Sequence, residues 1–200
     1  MDLVWVRHAE PERIAAGTGV PANPPLTAAG REQAQRLADW LAHEHIDTIV
    51  SSPQRRAVET AEPLAKALGL TVEVLDGLVE YDVQADHYIP VEELRATKDE
   101  RWLAMVEGRW GEFGGEDPTA FTARVARTVD EIVTGHPGET VVAVCHGGVI
   151  NVALAGVLGL TRPLWFDPVY TSISRMVASR TGVRSIVSLN ERAHLEARRQ

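Results

Sequence analysis

The sequence predicts an α/β fold, a three-layer α/β/α sandwich whose sheet is mostly parallel. Short β-branched runs bounded by turn residues alternate with longer segments of helical periodicity, which is the pattern of strand–helix–strand units. One run, TVVAVC at 140–145, is almost wholly apolar, as expected for a central strand covered by helices on both faces. The chain of 200 residues suits a single domain with a substantial core.

Six segments rich in β-branched residues predict strands. The first four are separated by helical segments, whereas the last two follow each other closely near the end of the chain. The predicted strands are Leu3–Arg7, Thr48–Ser51, Thr71–Leu75, Thr140–Cys145, Ser174–Ser179 and Arg184–Leu189.

Five segments between and around these strands predict helices with one apolar face. In the first, Ala34, Leu37, Ala38 and Leu41 form a stripe opposite charged residues, and in the second Pro63 must kink or locally open the helix. The segments are LTAAGREQAQRLADWLAHEHI, PQRRAVETAEPLAKALGL, VEELRATKDERWLAMVEG, DPTAFTARVARTVDEIVTG and GGVINVALAGVLGL.

The block from about Asp82 to Gly115 contains helical patterns but no good strand. It is therefore predicted to be a helical insertion that caps a single domain formed by residues 1–200. No internal repeat, low-complexity run or linker divides the chain.

Composition and charge exclude several classes of partner. The net charge of −8 and the pI of about 5.4 argue against a nucleic-acid groove or an anionic membrane surface. No apolar stretch approaches the ~20 residues of a membrane span, and no signal peptide is expected. Cys145 is the single cysteine, which excludes an internal disulfide and fits the reducing cytoplasm. We therefore expect a cytoplasmic protein.

Charged and polar residues follow the predicted strands at their carboxyl ends, where parallel sheets bind ligands. The first strand ends in Arg7, His8 and Glu10. The second runs through Ser51-Ser52-Pro53 into a helix, with Ser52 as the expected N-cap. Arg55 and Arg56 then lie in the first helical turn, where a cation opposes the helix dipole unless an anion is also bound there.

Two later strands deliver further candidates. The third leads to Glu80, and the fourth ends in His146-Gly147-Gly148 at the start of a helix. Glycines at a helix start let a ligand approach free backbone N–H groups, so Gly147 is a candidate anion-binding residue. Cations, a nucleophilic imidazole and a carboxylic acid form the set that phosphoryl transfer needs.

Each of these residues also has an ordinary structural explanation. A histidine beside an arginine at a strand end is usually a surface or capping pair, and Arg56 alone would usually be solvated. Glu80 is one of three acids in DGLVEYD, any of which could lie at the surface. The combination at one edge of the sheet is what favours a reactive site.

Five motifs follow one another from residue 1 to about residue 160: RHAE, PLTAAGREQA, SSPQRRAVETA, GGEDPTAFTARV and VCHGGVI. In this order they resemble the histidine phosphatase superfamily, the phosphoglycerate-mutase-like proteins. The resemblance implies that His8 is the phosphorylated nucleophile, that Arg7, Arg56 and His146 hold the phosphate, and that Glu80 is the proton donor. It also implies a phosphomonoester hydrolase that acts on a small phosphorylated metabolite and needs no metal or organic cofactor.

The match to the family is loosest at a few places. Ala9 replaces the glycine of the first motif, and Ile14 stands where many members have an asparagine that touches the phosphate or substrate. After Glu80 the chain reads YDVQADHYIP instead of the usual continuation, so that His87 and Tyr88 stay unassigned. The residues by which cofactor-dependent mutases recognise phosphoglycerate are also missing, which favours a hydrolase over a phosphoglycerate mutase.

Two alternatives belong to other classes. A non-catalytic module that binds a phosphorylated ligand would be expected to have lost the nucleophile or the acid, and both are present. A metal hydrolase could use His8, Glu10 and His146, but the neighbouring arginines would repel a cation. The oligomeric state stays open, with a homodimer among the options.

Overall fold

The computed structural model of the protein describes residues 1–17, 19–113, 115–162 and 164–196. Six strands form one sheet in the order β3-β2-β4-β1-β5-β6. The first four in this order are parallel, and β5 and β6 are antiparallel additions beside β1. The prediction of an α/β fold with a mostly parallel sheet is therefore confirmed. The strands are β1 (Asp2–Arg7), β2 (Thr48–Ser51), β3 (Val72–Val74), β4 (Thr140–Cys145), β5 (Ile173–Ala178) and β6 (Arg184–Glu191).

Six α-helices occur in the described residues, and four of them cover the sheet, two on each face. Short 3₁₀ turns follow β3, precede α5 and end the described chain, at Asp76–Leu78, Trp110–Phe113 and Ala193–Leu195. The helices are α1 (Ala28–Leu41), α2 (Arg55–Leu68), α3 (Val91–Thr97), α4 (Glu100–Glu107), α5 (Pro118–Gly135) and α6 (Gly147–Leu158).

The core is divided by the sheet into two apolar layers. Along β1, Leu3 and Trp5 belong to the cluster that includes residues of α5 and α6. Val4 and Val6 belong to the cluster that includes residues of α1 and α2. Alternate side chains of a strand point to opposite faces, so the two clusters are the two helix–sheet interfaces of a three-layer sandwich.

Two local predictions are wrong. Ser52 is not the N-cap of α2: that helix begins two residues later than expected, with Gln54 as its N-cap, and Ser52 is buried beneath it. The segment VEELRATKDERWLAMVEG forms two helices, because Lys98 adopts a left-handed conformation with φ of 53° and ends α3. Asp99 then caps α4 by accepting a hydrogen bond from the backbone N–H of Arg101.

The segment from 82 to 115, called the cap below, lies between β3 and α5 and holds α3 and α4. Its described residues contain no strand, only an isolated bridge that pairs Tyr88 with Ile14. Gly114, which opens the motif GGEDPTAFTARV, lies outside the described residues. None of the helices in the described ranges has the length and apolarity needed to cross a membrane.

The register of the parallel strands brings their carboxyl ends together. Arg7 at the end of β1 pairs with Cys145 at the end of β4, and Ser51 at the end of β2 pairs with Val144. Residues that directly follow these strands are therefore placed side by side at the carboxyl edge of the sheet, in front of the cap.

Candidate active site

His8 directly follows β1 and its ring is buried and fixed. Its Nδ1 lies 2.8 Å from the backbone oxygen of Ala9, which can only accept, so Nδ1 carries the ring proton. The other nitrogen, Nε2, accepts a hydrogen bond of 3.3 Å from Nε of Arg56. Burial, followed by the positive charges of Arg56 and Arg7, holds the pKa of His8 well below its usual range. The imidazole is thus neutral, with a lone pair on Nε2.

Two buried arginines flank this imidazole. Arg7 projects from the end of β1, and its guanidinium lies over the ring of Tyr170, 4.0 Å from the ring centre. Arg56 belongs to the first turn of α2 and lies over the ring of Tyr88, 4.6 Å from its centre. The two cations reach the same place from different strand–helix connections, and both line one large cavity.

His146 and Gly147 enter the same region at the end of β4. The His146 ring centre lies 5.1 Å from that of His8, and Nε2 of His146 is 2.8 Å from the hydroxyl of Ser52. Burial, together with the charge of Arg56, lowers the pKa of His146 well below its usual range. Gly147 is the first residue of α6 and lines the cavity beside Arg7, whereas His146 is not among the described residues that line it.

Glu80 follows the 3₁₀ turn after β3 and is buried at the same edge. Its carboxylate accepts hydrogen bonds from the backbone N–H of Gly148, at 2.9 Å, and of Tyr81, at 3.1 Å. Burial raises the pKa of Glu80 to about 7, and the neighbouring Asp82 adds to the rise. A carboxyl group with such a pKa can give and take a proton near neutral pH.

Gly148 is required for this placement. A β-carbon on Gly148 would lie 2.4 Å from Oε1 of Glu80, a distance at which the carboxylate must move. At Gly147 the nearest atom to such a carbon is Nε of Arg7, at 3.9 Å, which is an ordinary contact. The two glycines that look alike in the sequence therefore have different structural roles.

The cavity in front of these residues has a volume of about 930 Å³. Its floor is the carboxyl edge of the sheet, and its walls come from the cap, from Arg162 and from the segment 164–168. Among the arginines and histidines of the site, two buried nitrogen atoms have no hydrogen-bond partner in the described residues: Nη1 of Arg56, at the floor, and Nδ1 of His146, which is not among the residues that line the cavity. Unpartnered buried nitrogens beside two guanidinium groups are suited to the oxygens of an anion such as phosphate.

Three of the remaining residues named from the sequence are not among the described residues that line the cavity. The Glu10 carboxylate accepts a hydrogen bond from the hydroxyl of Thr27, the N-cap of α1. Ala9 is packed in a small apolar cluster with Leu26 and Ala34. Ile14 acts through its backbone, which pairs with Tyr88. His87 and Tyr88 both line the cavity.

Sequence reasoning missed three contacts of the arginines. Nη1 of Arg7 donates to the carboxylate of Glu92 at 2.6 Å and to the backbone oxygen of Pro168 at 2.7 Å. Nη2 of Arg56 lies 3.6 Å from Oδ1 of Asp82. No local periodicity or motif marks Glu92 as a partner of Arg7, because 85 residues separate the two.

The described ranges contain no group of three or more His, Cys, Asp or Glu side chains that could hold a metal ion. Cys145 is buried at the end of β4, and burial raises the pKa of its thiol.

The fold and the cavity together define a three-layer α/β protein with two buried arginines and a neutral imidazole at the cavity floor. The sequence profile of the histidine phosphatase superfamily (branch 1) matches residues 3–192. The chain belongs to this family, and the resemblance found in its motifs is confirmed.

Three similar proteins illustrate the relationship. Phosphoserine phosphatase 1 of Hydrogenobacter thermophilus is 35% identical over 164 residues, which cover 79% of this chain and 76% of that protein. A protein of Mycobacterium tuberculosis named as bifunctional is 33% identical over 96% of this chain, which spans 54% of that longer relative. The solved structure of a mycobacterial glucosyl-3-phosphoglycerate phosphatase has a TM-score of 0.74 at 26% identity, covering 96% of this chain and 99% of that one.

Proposed function

We propose that this protein is a phosphomonoester hydrolase that acts through a phosphohistidine intermediate on a small phosphorylated metabolite. The observation that carries the proposal is His8, whose neutral imidazole keeps a lone pair on Nε2 between two buried arginines. The names of two similar proteins, phosphoserine phosphatase and glucosyl-3-phosphoglycerate phosphatase, support a phosphatase of this family.

The reaction needs two steps. Arg7, Arg56, His146 and the backbone at Gly147 bind the phosphate, and Nε2 of His8 attacks phosphorus while the ester P–O bond breaks. Glu80 gives its proton to the departing alcohol oxygen. Water then attacks the phosphorus of phospho-His8, the N–P bond breaks and Glu80 takes the proton of that water. Inorganic phosphate leaves, and the starting enzyme is restored.

Several finer features belong to the same proposal. Residues 1–200 act as one phosphoglycerate-mutase-like domain with the cap as its insertion, and the reaction proceeds in the cytoplasm without metal or organic cofactor. Phosphoglycerate mutase is the competing activity, and the hydrolase names of the relatives favour hydrolysis. Isomerisation of 3-phosphoglycerate faster than hydrolysis of any ester would establish the mutase instead. Loss of activity with EDTA and its return with zinc would contradict the phosphohistidine route.

The test is a screen of phosphorylated metabolites and p-nitrophenyl phosphate for phosphate release, with trapping of acid-labile phosphoenzyme. Because His8 provides the reacting atom, we expect His8→Ala to reduce turnover by about 10⁴-fold or more and to abolish the labelled intermediate. His43→Ala, which removes an exposed histidine beyond the end of α1, serves as the control. Wild-type turnover by His8→Ala would refute the proposal.

A further inference from the structure

Both arginines at the floor of the cavity are paired with acidic residues of the cap. Nη1 of Arg7 is 2.6 Å from Oε1 of Glu92, at the start of α3, and Nη2 of Arg56 is 3.6 Å from Oδ1 of Asp82. Asp82 and Glu92 both line the cavity. Two carboxylates therefore stand next to the two cations that would bind the phosphate.

The Glu92 carboxylate is held from two sides. Oε1 accepts from Arg7, and Oε2 accepts from the hydroxyl of Tyr170 at 2.8 Å. Burial by itself would raise the pKa of Glu92, but the charge and hydrogen bond of Arg7 outweigh it and hold that pKa below its usual range. The side chain is 44% exposed. Glu92 thus places a fixed carboxylate, whose charge is shared with Arg7, at the cavity wall with lone pairs still available.

Asp82 presents a similar group with an unmet hydrogen bond. Its Oδ1 is buried and has no hydrogen-bond partner in the described part of the chain, since 3.6 Å from Arg56 is too long for one. A buried carboxylate oxygen without a donor is costly, and a substrate that carries a donor would relieve that cost.

Asp82 and Glu92 lie where the alcohol part of a bound phosphomonoester is expected. If the phosphate lies on the floor, the rest of the substrate must extend into the cavity toward the cap. Tyr88, whose ring covers Arg56, lines the cavity together with Asp82 and Glu92. The alcohol of a phosphate bound by Arg7 and Arg56 would lie near the acids that pair with these arginines.

Other arginines also line the cavity and could attract a carboxylate. Arg95 is paired with Asp167 at 2.7 Å, and Arg101 is held by Asp99, also at 2.7 Å, so their charges are offset by acids of their own. Arg162 lies exposed in the segment after α6 and would act on groups that reach that segment.

We propose that Glu92 and Asp82 determine the substrate class. They favour phosphomonoesters whose alcohol carries a hydrogen-bond donor near the ester, an ammonium group above all, and they disfavour a carboxylate at that position. This inference rests on the proposed phosphatase activity, and it concerns the choice of alcohol rather than the transfer of phosphate.

The test compares two substrates of equal length, O-phosphoethanolamine and phosphoglycolate, which differ in an ammonium and a carboxylate group. We expect the wild-type kcat/KM to be about tenfold or more higher for O-phosphoethanolamine, because like charges repel at short range. Glu92→Gln should lower this ratio about fivefold or more, and Asp82→Asn should lower it in the same direction. Because Glu92 and Asp82 also pair with Arg7 and Arg56, their substitution can change phosphate binding for every substrate. The ratio of kcat/KM for the two substrates cancels that common change.

Glu93→Gln is the matched control. It makes the same change in net charge one residue further along α3, where Glu93 is paired with the exposed Arg13 and is not among the described residues lining the cavity. Its ratio should equal that of the wild type, and thermal unfolding shows whether each variant is folded.

The possible results are distinct. Hydrolysis of p-nitrophenyl phosphate with a wild-type ratio of one or below would overturn the inference and leave the proposed function intact. A ratio unchanged in both Glu92→Gln and Asp82→Asn would overturn it as well. Failure to release phosphate from these three compounds and from every ester of the metabolite screen would overturn both this inference and the proposed function.

Discussion

The floor of the cavity and the cap are built in different ways. On the floor, His8 and Glu80 are buried and hydrogen-bonded to backbone groups of the sheet edge and of α6. The cap consists of helices of 7 and 8 residues, joined to the rest of the protein partly by exposed ion pairs such as Arg95–Asp167.

This difference separates the chemistry from the choice of substrate. Backbone partners cannot move without the strand or helix that carries them, so they keep reacting groups in place. Exposed ion pairs contribute about 0.2–1 kcal/mol each and can be exchanged at little cost in stability. Substitutions on the floor should therefore change the chemical step, and substitutions in the cap should change stability slightly and substrate choice more.

The largest effect in this comparison is expected from Glu80→Gln. Glutamine keeps the shape of the side chain but cannot donate a proton, so kcat/KM for alkyl phosphates should fall by about 10² to 10⁴-fold. Hydrolysis of p-nitrophenyl phosphate should fall much less, because nitrophenolate leaves without a proton. Equal losses for both kinds of substrate would show that Glu80 is not the acid.

The pH dependence tests the same residue in the wild-type protein. The acid must be protonated and its pKa is raised to about 7, so kcat/KM for an alkyl phosphate should fall as the pH rises through about 7. His8 has a pKa well below its usual range, so it stays neutral and reactive in mildly acidic solution. The substrate phosphate also titrates, and it does so equally in assays of the wild type and of Glu80→Gln. Only the wild-type pH profile should therefore show the additional fall in kcat/KM near pH 7.

The next largest effect is expected from Gly148→Ala, and it distinguishes the two glycines at the start of α6. Gly148→Ala should displace the Glu80 carboxylate and lower kcat/KM for alkyl phosphates by about 10²-fold. Gly147→Ala introduces only an ordinary contact with Arg7 and should cause a smaller loss. Alanine favours a helix more than glycine does, so thermal unfolding should show that lost stability is not the cause. Equal losses in the two variants would argue against the assigned role of Gly148.

The smallest effect is expected in the cap. Breaking the exposed pair with Arg95→Gln, Asp167→Asn and the double variant should give an interaction free energy of about 0.2–1 kcal/mol in denaturant unfolding. A value several times larger would mean that the cap is fixed as firmly as the floor, and the contrast between the two regions would be lost.

The order of strands and helices could largely be predicted from the sequence. Apolar runs such as TVVAVC and the stripe on α1 report burial through their period, which depends only on nearby residues. The residues expected to begin or end a helix were less informative. Ser52 was predicted to cap α2, but it is buried beside His146, which is 94 residues away in the sequence. Lys98 gave no signal that it would end α3.

The sequence by itself determined the fold class and the candidate set Arg7, His8, Arg56, Glu80 and His146, because residues that follow parallel strands must meet at one edge of the sheet. Only the tertiary structure decided which nitrogen of His8 is protonated, that Gly148 rather than Gly147 adjoins Glu80, and that the arginines meet acids of the cap. These features depend on contacts between distant segments, and no periodic pattern in a single chain encodes such contacts.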